Sequence, residues 1–265
     1  MATLRGPTAE KRSVLDRFKL LAAAGFDGVE VMSAQDQAEV LAARDATKLE
    51  IPSVCVSTHW AKPLTDPSAE VRAVGLEGLR QGLRDAKAYN SKSVLLVPGK
   101  VTKTVSYADA YDRSREEIAK AVPLAASLGV IIAIENVWNQ FLLSPLEAVS
   151  YVDSFKSPWV QWHFDAGNIV NTGFPEQWIR TLGKRIVQVH VKEFNRKVRD
   201  TRGPSAGFEA DLFDGDADWP AVMAALDEIH YSGWIIAEQY RLPAMVDDGE
   251  WLKHLSRKLD ALISA

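Results

Sequence analysis

Short, almost continuously apolar runs recur along the chain and alternate with longer amphipathic stretches. The runs are FDGVEVM (26–32), PSVCVS (52–57), SVLLVP (93–98), VIIAIEN (130–136), VQWHFD (160–165), IVQVHVKEF (186–194) and GWIIAEQ (233–239). They are rich in Val and Ile, and most do not alternate apolar with polar, the pattern of strands buried on both faces. Apolar residues at helical spacing, with charges on the opposite face, predict helices over 9–24, 34–49, 68–89, 107–128, 146–155, 176–182, 218–230 and 248–263. Gly25, Gly129 and Gly183 stand where left-handed C-caps are wanted, and Ser68 and Asp218 where N-caps belong.

Strict alternation of strand and helix implies a parallel α/β architecture, either an eight-fold (β/α)8 barrel or a doubly wound sheet. No GxGxxG or GxxxxGK[ST] follows an early strand, whereas polar residues gather at the C-terminal ends of several strands, so the barrel is the expectation. The pattern gives seven strands and eight helices. Either MATLRG is a degenerate first strand or the chain lacks the residues that would form it. No linker or low-complexity segment divides the chain, so residues 1–265 read as one domain. The longest irregular stretch, Asn195 to Ala217, holds Arg196, Lys197, Arg199 and Arg202 and is a candidate lid over the barrel mouth.

Composition narrows the possibilities without deciding the chemistry. With 47% hydrophobic and 25% charged residues, the chain is of ordinary globular type. Its single cysteine, Cys55, cannot form an internal disulfide. No apolar run reaches the ~18 residues of a membrane span, and the first residues carry no signal-peptide core, so a cytoplasmic protein with no membrane partner is expected. A formal charge of −4 gives no broad positive field for nucleic acid.

Four apolar strands end in residues that are costly to bury unless paired or coordinated: Glu135, Asp165, His190 and Glu238. Separations of 30, 25 and 48 residues place them on different strands that a barrel brings round one mouth. Three carboxylates and one imidazole form a hard ligand set suited to one divalent ion, Mn²⁺, Mg²⁺ or Co²⁺, with Zn²⁺ a lesser option.

GFDGVEV, IAIENVWN, FDAGN, VHVKEF and the WxxAEQ segment, in this order and spacing, closely resemble the xylose-isomerase-like TIM-barrel family of sugar and sugar-phosphate isomerases and epimerases, related to the ketose 3-epimerases. The resemblance implies a metal on Glu135, Asp165, His190 and Glu238. It also implies Glu135 and Glu238 as the groups that move a proton next to a ketose carbonyl through an enediolate, giving epimerisation or isomerisation. Arg196 lies six residues after His190, where ketose 3-epimerases carry a substrate-binding Arg. Asn168 stands where those enzymes place a His, a departure that puts their binding mode for free ketohexoses in doubt.

Further substrate contacts are expected from His59 and Trp60 after the second run, from Trp138, with Phe141 beside it, after Glu135, and from Lys192. For His59 the competing reading is a structural histidine. For Trp138 and Phe141 it is packing under the loop, for Lys192 a pair with Glu193, and for Arg196, Lys197, Arg199 and Arg202 a solvated basic loop. Trp162, mid-strand, is expected to pack. The expected partners are a small sugar, sugar phosphate or sugar derivative, with Lys197, Arg199 and Arg202 as candidate phosphate contacts if it is phosphorylated, and a second copy of the chain in a homo-oligomer. The alternative activity is a lyase or dehydratase acting on a keto-sugar, keto-glycoside or inosose, which shares the first proton abstraction. An apurinic-site endonuclease would need more ligands than five histidines and this charge supply, and a non-catalytic sugar binder would have no activity to lose.

Overall fold

A computed structural model describes residues 12–264. Seven parallel strands form one curled sheet in sequence order: β1 (Val31–Met32), β2 (Ser53–Cys55), β3 (Ser93–Leu96), β4 (Ile131–Glu135), β5 (Val160–Asp165), β6 (Ile186–Val191) and β7 (Ile235–Ala237). Each strand hydrogen-bonds only to its sequence neighbours, and a helix lies in every connection, so all C-terminal strand ends open on one side. The strand inventory is the one the apolar runs predict. MATLRG, the candidate degenerate strand, lies outside the described residues.

Among the described residues no hydrogen-bonded ladder joins β7 to β1. Side chains fill part of that seam. The ring of Trp234 lies against Gly28, where an added Cβ would stand 3.0 Å from the ring and from Glu50 O, so a side chain there would have to push one of them aside. Beside it is a cavity of about 350 Å³ lined by apolar side chains that include Leu21, Phe26, Val29, Ile235 and Leu259.

The helices are α1 (Val14–Ala24), α2 (Gln37–Thr47), α3 (Ala69–Tyr89), α4 (Tyr107–Ala119), α5 (Val122–Leu128), α6 (Pro145–Asp153), α7 (Ala166–Val170), α8 (Pro175–Leu182), α9 (Arg196–Arg202), α10 (Trp219–Glu228) and α11 (Asp248–Ile263). Their buried faces close on the strands in one continuous core that joins Leu79, Leu83 and Ala86 of α3 to Val54, Val94 and Ile132 of the sheet. Ser68 and Asp218 accept from backbone N–H groups at the starts of α3 and α10, and Gly25 and Gly129 take the left-handed C-cap.

Four expectations need correction. The 107–128 helix is broken at Lys120–Ala121, because Pro123 has no N–H to continue the ladder. Gly183 is not a left-handed cap: its φ of 56 and ψ of −134 open a 3-10 turn, Gly183–Arg185. Asp165 caps a short helix, α7, that the sequence pattern did not show. The irregular stretch after β6 is largely ordered, because Asn195 Oδ1 caps α9 through Val198 N and a 3-10 turn, Pro204–Glu209, follows.

Candidate metal centre and active site

Strand register assembles the centre. Asp165 pairs with His190 across β5 and β6, Glu135 ends β4 beside His163, and Glu238 follows β7 with its N–H donated to Val191 O at 2.9 Å. The candidate ligand atoms of Glu135, Asp165, His190 and Glu238 all lie within 4.8 Å of one another. His190 Nδ1 is 3.1 Å from Glu135 Oε1 and 3.8 Å from both Asp165 Oδ2 and Glu238 Oε2. All four predicted ligands therefore meet at the C-terminal end of the sheet.

Asp165 and His190 are held from behind. Asp165 Oδ1 accepts from Asn168 N at 2.8 Å, leaving Oδ2 turned to the cluster, where Lys192 Nζ lies 2.7 Å from it. Asn136 clamps the same residue: its Oδ1 accepts from Asp165 N, and its Nδ2 donates to Asp165 O at 2.7 Å. Glu30, next to β1, has Oε2 at 3.1 Å from His190 Nε2. Such a contact fixes the tautomer that leaves Nδ1 for an ion. Glu30 and Asn136 were missed in the sequence; the legible signal was an acid interrupting GFDGVEV from within, between Val29 and Val31, and an amide at the end of IAIEN. His163, fully buried, sets its ring edge-on against His190 at 4.1 Å, and neither of its nitrogens has a hydrogen-bond partner.

The electrostatics follow from burial of several acids in one place. Burial pushes the Glu135 carboxyl up to about 7, against the pull of His190, and the neighbouring Glu238 and Asp165 add to the rise. Burial also raises Asp165, opposed by the Lys192 ammonium. Glu30 goes the other way: burial alone would raise it, but the attraction of His190 and its hydrogen bond hold it down to about 2. Three carboxylates and one imidazole whose ligand atoms converge within 4.8 Å fit a hard divalent cation.

The expected substrate contacts separate into several kinds. His59 is buried and its Nδ1 accepts from Val97 N at 3.1 Å, so its proton sits on Nε2. Burial lowers its pKa to about 4, and Glu30 and Glu238 act on it electrostatically from the centre. Trp60 is 48% exposed, edge-on to His59. Lys192 Nζ is 2.7 Å from Asp165 Oδ2 and also bonds Glu238; it does not pair with Glu193. Glu193, fully buried, accepts instead from Phe213 N, Ala217 N, Phe194 N and Trp219 Nε1, tying the loop after β6 to the strand end.

Asn168 donates its Nδ2 to Asn136 O at 2.9 Å, and Trp138 donates its indole N–H to Asn168 O at 2.9 Å. The Arg196 guanidinium donates to Val170 O and Gly173 O and lies over the Phe174 ring. Arg199 bonds Asn171, Arg202 pairs with Glu209, and Lys197 is exposed on α9. Phe141 is buried among Tyr107, Tyr111 and Tyr151, and Trp162 is fully buried with its N–H on Asn136 Oδ1.

This arrangement of strand-end acids on a curled parallel sheet coincides with a family match. Residues 18–257 match the family described as xylose isomerase-like TIM barrel. The chain belongs to that family. Among characterised relatives, L-ribulose-5-phosphate 3-epimerase UlaE of Salmonella paratyphi C (strain RKS4594) is 26% identical over 240 residues, covering 85% of this chain and 82% of that protein. Two solved structures share the TIM-barrel fold. A D-tagatose 3-epimerase-like protein has a TM-score of 0.78 at 20% identity, covering 99% and 97% of the two chains. 3-Keto-D-glucoside 4-epimerase YcjR from E. coli has a TM-score of 0.79 at 17% identity, covering 96% and 95%. No described helix is long and apolar enough to cross a membrane.

Proposed function

We propose that the protein is a divalent-metal-dependent isomerase or epimerase of a sugar or sugar derivative, working by proton transfer next to a ketose carbonyl. The observation that carries this reading is the convergence of Glu135 and Glu238, from β4 and the end of β7, on one cluster with Asp165 and His190. The sugar epimerases among its relatives and structural neighbours support the same chemistry.

Glu135, Asp165, His190 and Glu238 would hold the ion. When bound, such an ion supplies Lewis acidity to a carbonyl and its neighbouring hydroxyl. The remaining work falls to the chain. Glu135, set at the end of β4 beside the cluster, is one of the two carboxyl groups placed to take or return the proton. Glu238, less buried than Glu135, is the partner group: one glutamate, as the carboxylate, would remove the α-proton, and the other, as the carboxylic acid, would deliver one to the opposite face. The His59 Nε2–H and the Lys192 ammonium are donors for substrate oxygens and for the negative charge of an enediolate.

The test is solvent exchange. Mn²⁺-loaded protein incubated with ketoses and keto-sugars in D₂O should place one deuterium at the carbon next to the carbonyl without loss of water, and Glu135→Gln and Glu238→Gln should each abolish it. A product lighter by one water would assign a dehydratase instead. Absence of exchange with every sugar, or full exchange in both variants, would sink the reading.

A further inference from the structure

Beyond the carboxylate centre, the mouth is walled by aromatic rings drawn from three different connections. Trp138 comes from the loop after β4, Phe208 from the 3-10 turn after α9, and Tyr240 from the segment after β7. The Trp138 and Phe208 ring centroids are 4.9 Å apart, and Phe208 stacks on Tyr240 at 5.7 Å with 22° between planes. Phe194 props the buried Phe208 edge-on at 4.9 Å. The wall begins at the reacting centre itself, for Lys192 Nζ, bonded to Asp165 and Glu238, lies 5.2 Å from the Phe208 ring. It ends in solvent, with Trp138 40% and Tyr240 44% exposed.

Apart from Lys197, exposed on α9, the basic residues that could make this region a phosphate site are engaged elsewhere. Arg196 is held by two backbone carbonyls, Arg199 by Asn171 and Asp200, Arg202 by Glu209 and Arg241 by Asp248. Lys192 sits between carboxylates. A phosphate dianion set against π faces and several buried acids would gain few charge-assisted hydrogen bonds. The apolar C–H face of a sugar ring, or an aryl group, suits the same wall well.

We propose that Trp138, Phe208 and Tyr240 form a subsite for an uncharged ring attached to the reacting sugar, so that the substrate class is a keto-glycoside rather than a free ketose or a ketose phosphate. This rests on the proton-transfer reading above and adds the group that the outer half of the site holds. Phe208 backs the platform, and the exposed faces of Trp138 and Tyr240 make the contact. The wall thereby selects on what is attached to the reacting sugar, while the glutamates act on the sugar itself.

The experiment measures kcat/KM for deuterium exchange by the Mn²⁺-loaded protein with four probes: D-psicose, L-ribulose 5-phosphate, methyl 3-keto-β-D-glucopyranoside and its phenyl counterpart. The phenyl glycoside should exceed the methyl glycoside about tenfold, mainly through KM, and both should exceed the phosphate. Trp138→Ala and Tyr240→Ala should each collapse the phenyl-to-methyl ratio toward one. Because that ratio is taken within one variant, partial loss of folded protein does not mimic it. Preference for L-ribulose 5-phosphate or D-psicose, or a phenyl-to-methyl ratio near one in the unmodified protein, overturns the subsite and leaves the proton-transfer reading standing. No exchange with any probe overturns both.

Discussion

Glu30 and His190 face each other inside the sheet, with Glu30 Oε2 at 3.1 Å from His190 Nε2. The imidazole is thus gripped on one nitrogen while the other points at Glu135, Asp165 and Glu238. Removing a carboxylate behind a metal-binding histidine costs typically ~10–100-fold in metal affinity. Glu30→Ala is expected to weaken Mn²⁺ binding by that amount, with Glu30→Gln falling in between because its amide oxygen still accepts from Nε2–H. Calorimetric titration with Mn²⁺ checks this; unchanged affinity in Glu30→Ala would show that the contact does not position His190.

Gly167 sits two residues past Asp165, against the Lys192 backbone. A Cβ there would lie 2.4 Å from both Lys192 O and Lys192 Cγ. Gly167→Ala must therefore displace either α7, which Asp165 caps, or the strand end that carries Lys192. Overpacking of this kind costs roughly 1–3 kcal/mol. Thermal unfolding together with Mn²⁺ affinity is the measurement, and both should fall. A fully stable variant that binds Mn²⁺ normally would contradict the assigned packing.

Glu193 is buried with four N–H donors on its carboxylate. Deleting it leaves those donors unpaired, at ~1–3 kcal/mol for each that water cannot reach. Glu193→Ala should lose at least about 3 kcal/mol of stability. Limited proteolysis should cut first between residues 204 and 217, the stretch that the carboxylate ties down. Cleavage elsewhere, with that stretch still protected, would count against this role.

His59 makes stability depend on pH. Its folded pKa, near 4, lies below the ordinary imidazole value of 6.5. Between those values the unfolded chain holds the proton and the folded chain does not, so stability falls as pH drops from 6.5 toward 4. The slope from this one group reaches at most about 1.4 kcal/mol per pH unit and vanishes below pH 4. His59→Asn keeps an acceptor for Val97 N but does not titrate. Denaturant unfolding at pH 5 and pH 7.5 should therefore show a smaller difference for the variant than for the parent.

Much of the site was legible in the chain because a buried strand has little tolerance for charge. Glu135, Asp165, His190 and Glu238 each interrupt an otherwise apolar run at its C-terminal end, and parallel alternation with helices forces those ends to one side. The supporting groups were harder to see. Asn136 reads as an ordinary loop residue until its side chain is seen clamping Asp165, and Glu30 precedes a strand of two residues whose partner is distant in sequence. Short helices such as α7 and α9 also escaped, since seven residues or fewer show no usable period and are fixed by caps and neighbours.

Local pattern by itself determined the strands, most helices and the identity of the strand-end acids, because hydrophobic periodicity and capping act over a few residues. Tertiary structure alone decided which groups those acids meet. Lys192 bonds Asp165 and Glu238 rather than its neighbour Glu193, and Arg196 bonds backbone carbonyls, since reach and competing partners are set by strand register. The aromatic wall belongs to the same category. Trp138 and Tyr240 are 102 residues apart, with Phe208 between them in sequence, and only the curl of the sheet brings their rings into one surface beside the carboxylates.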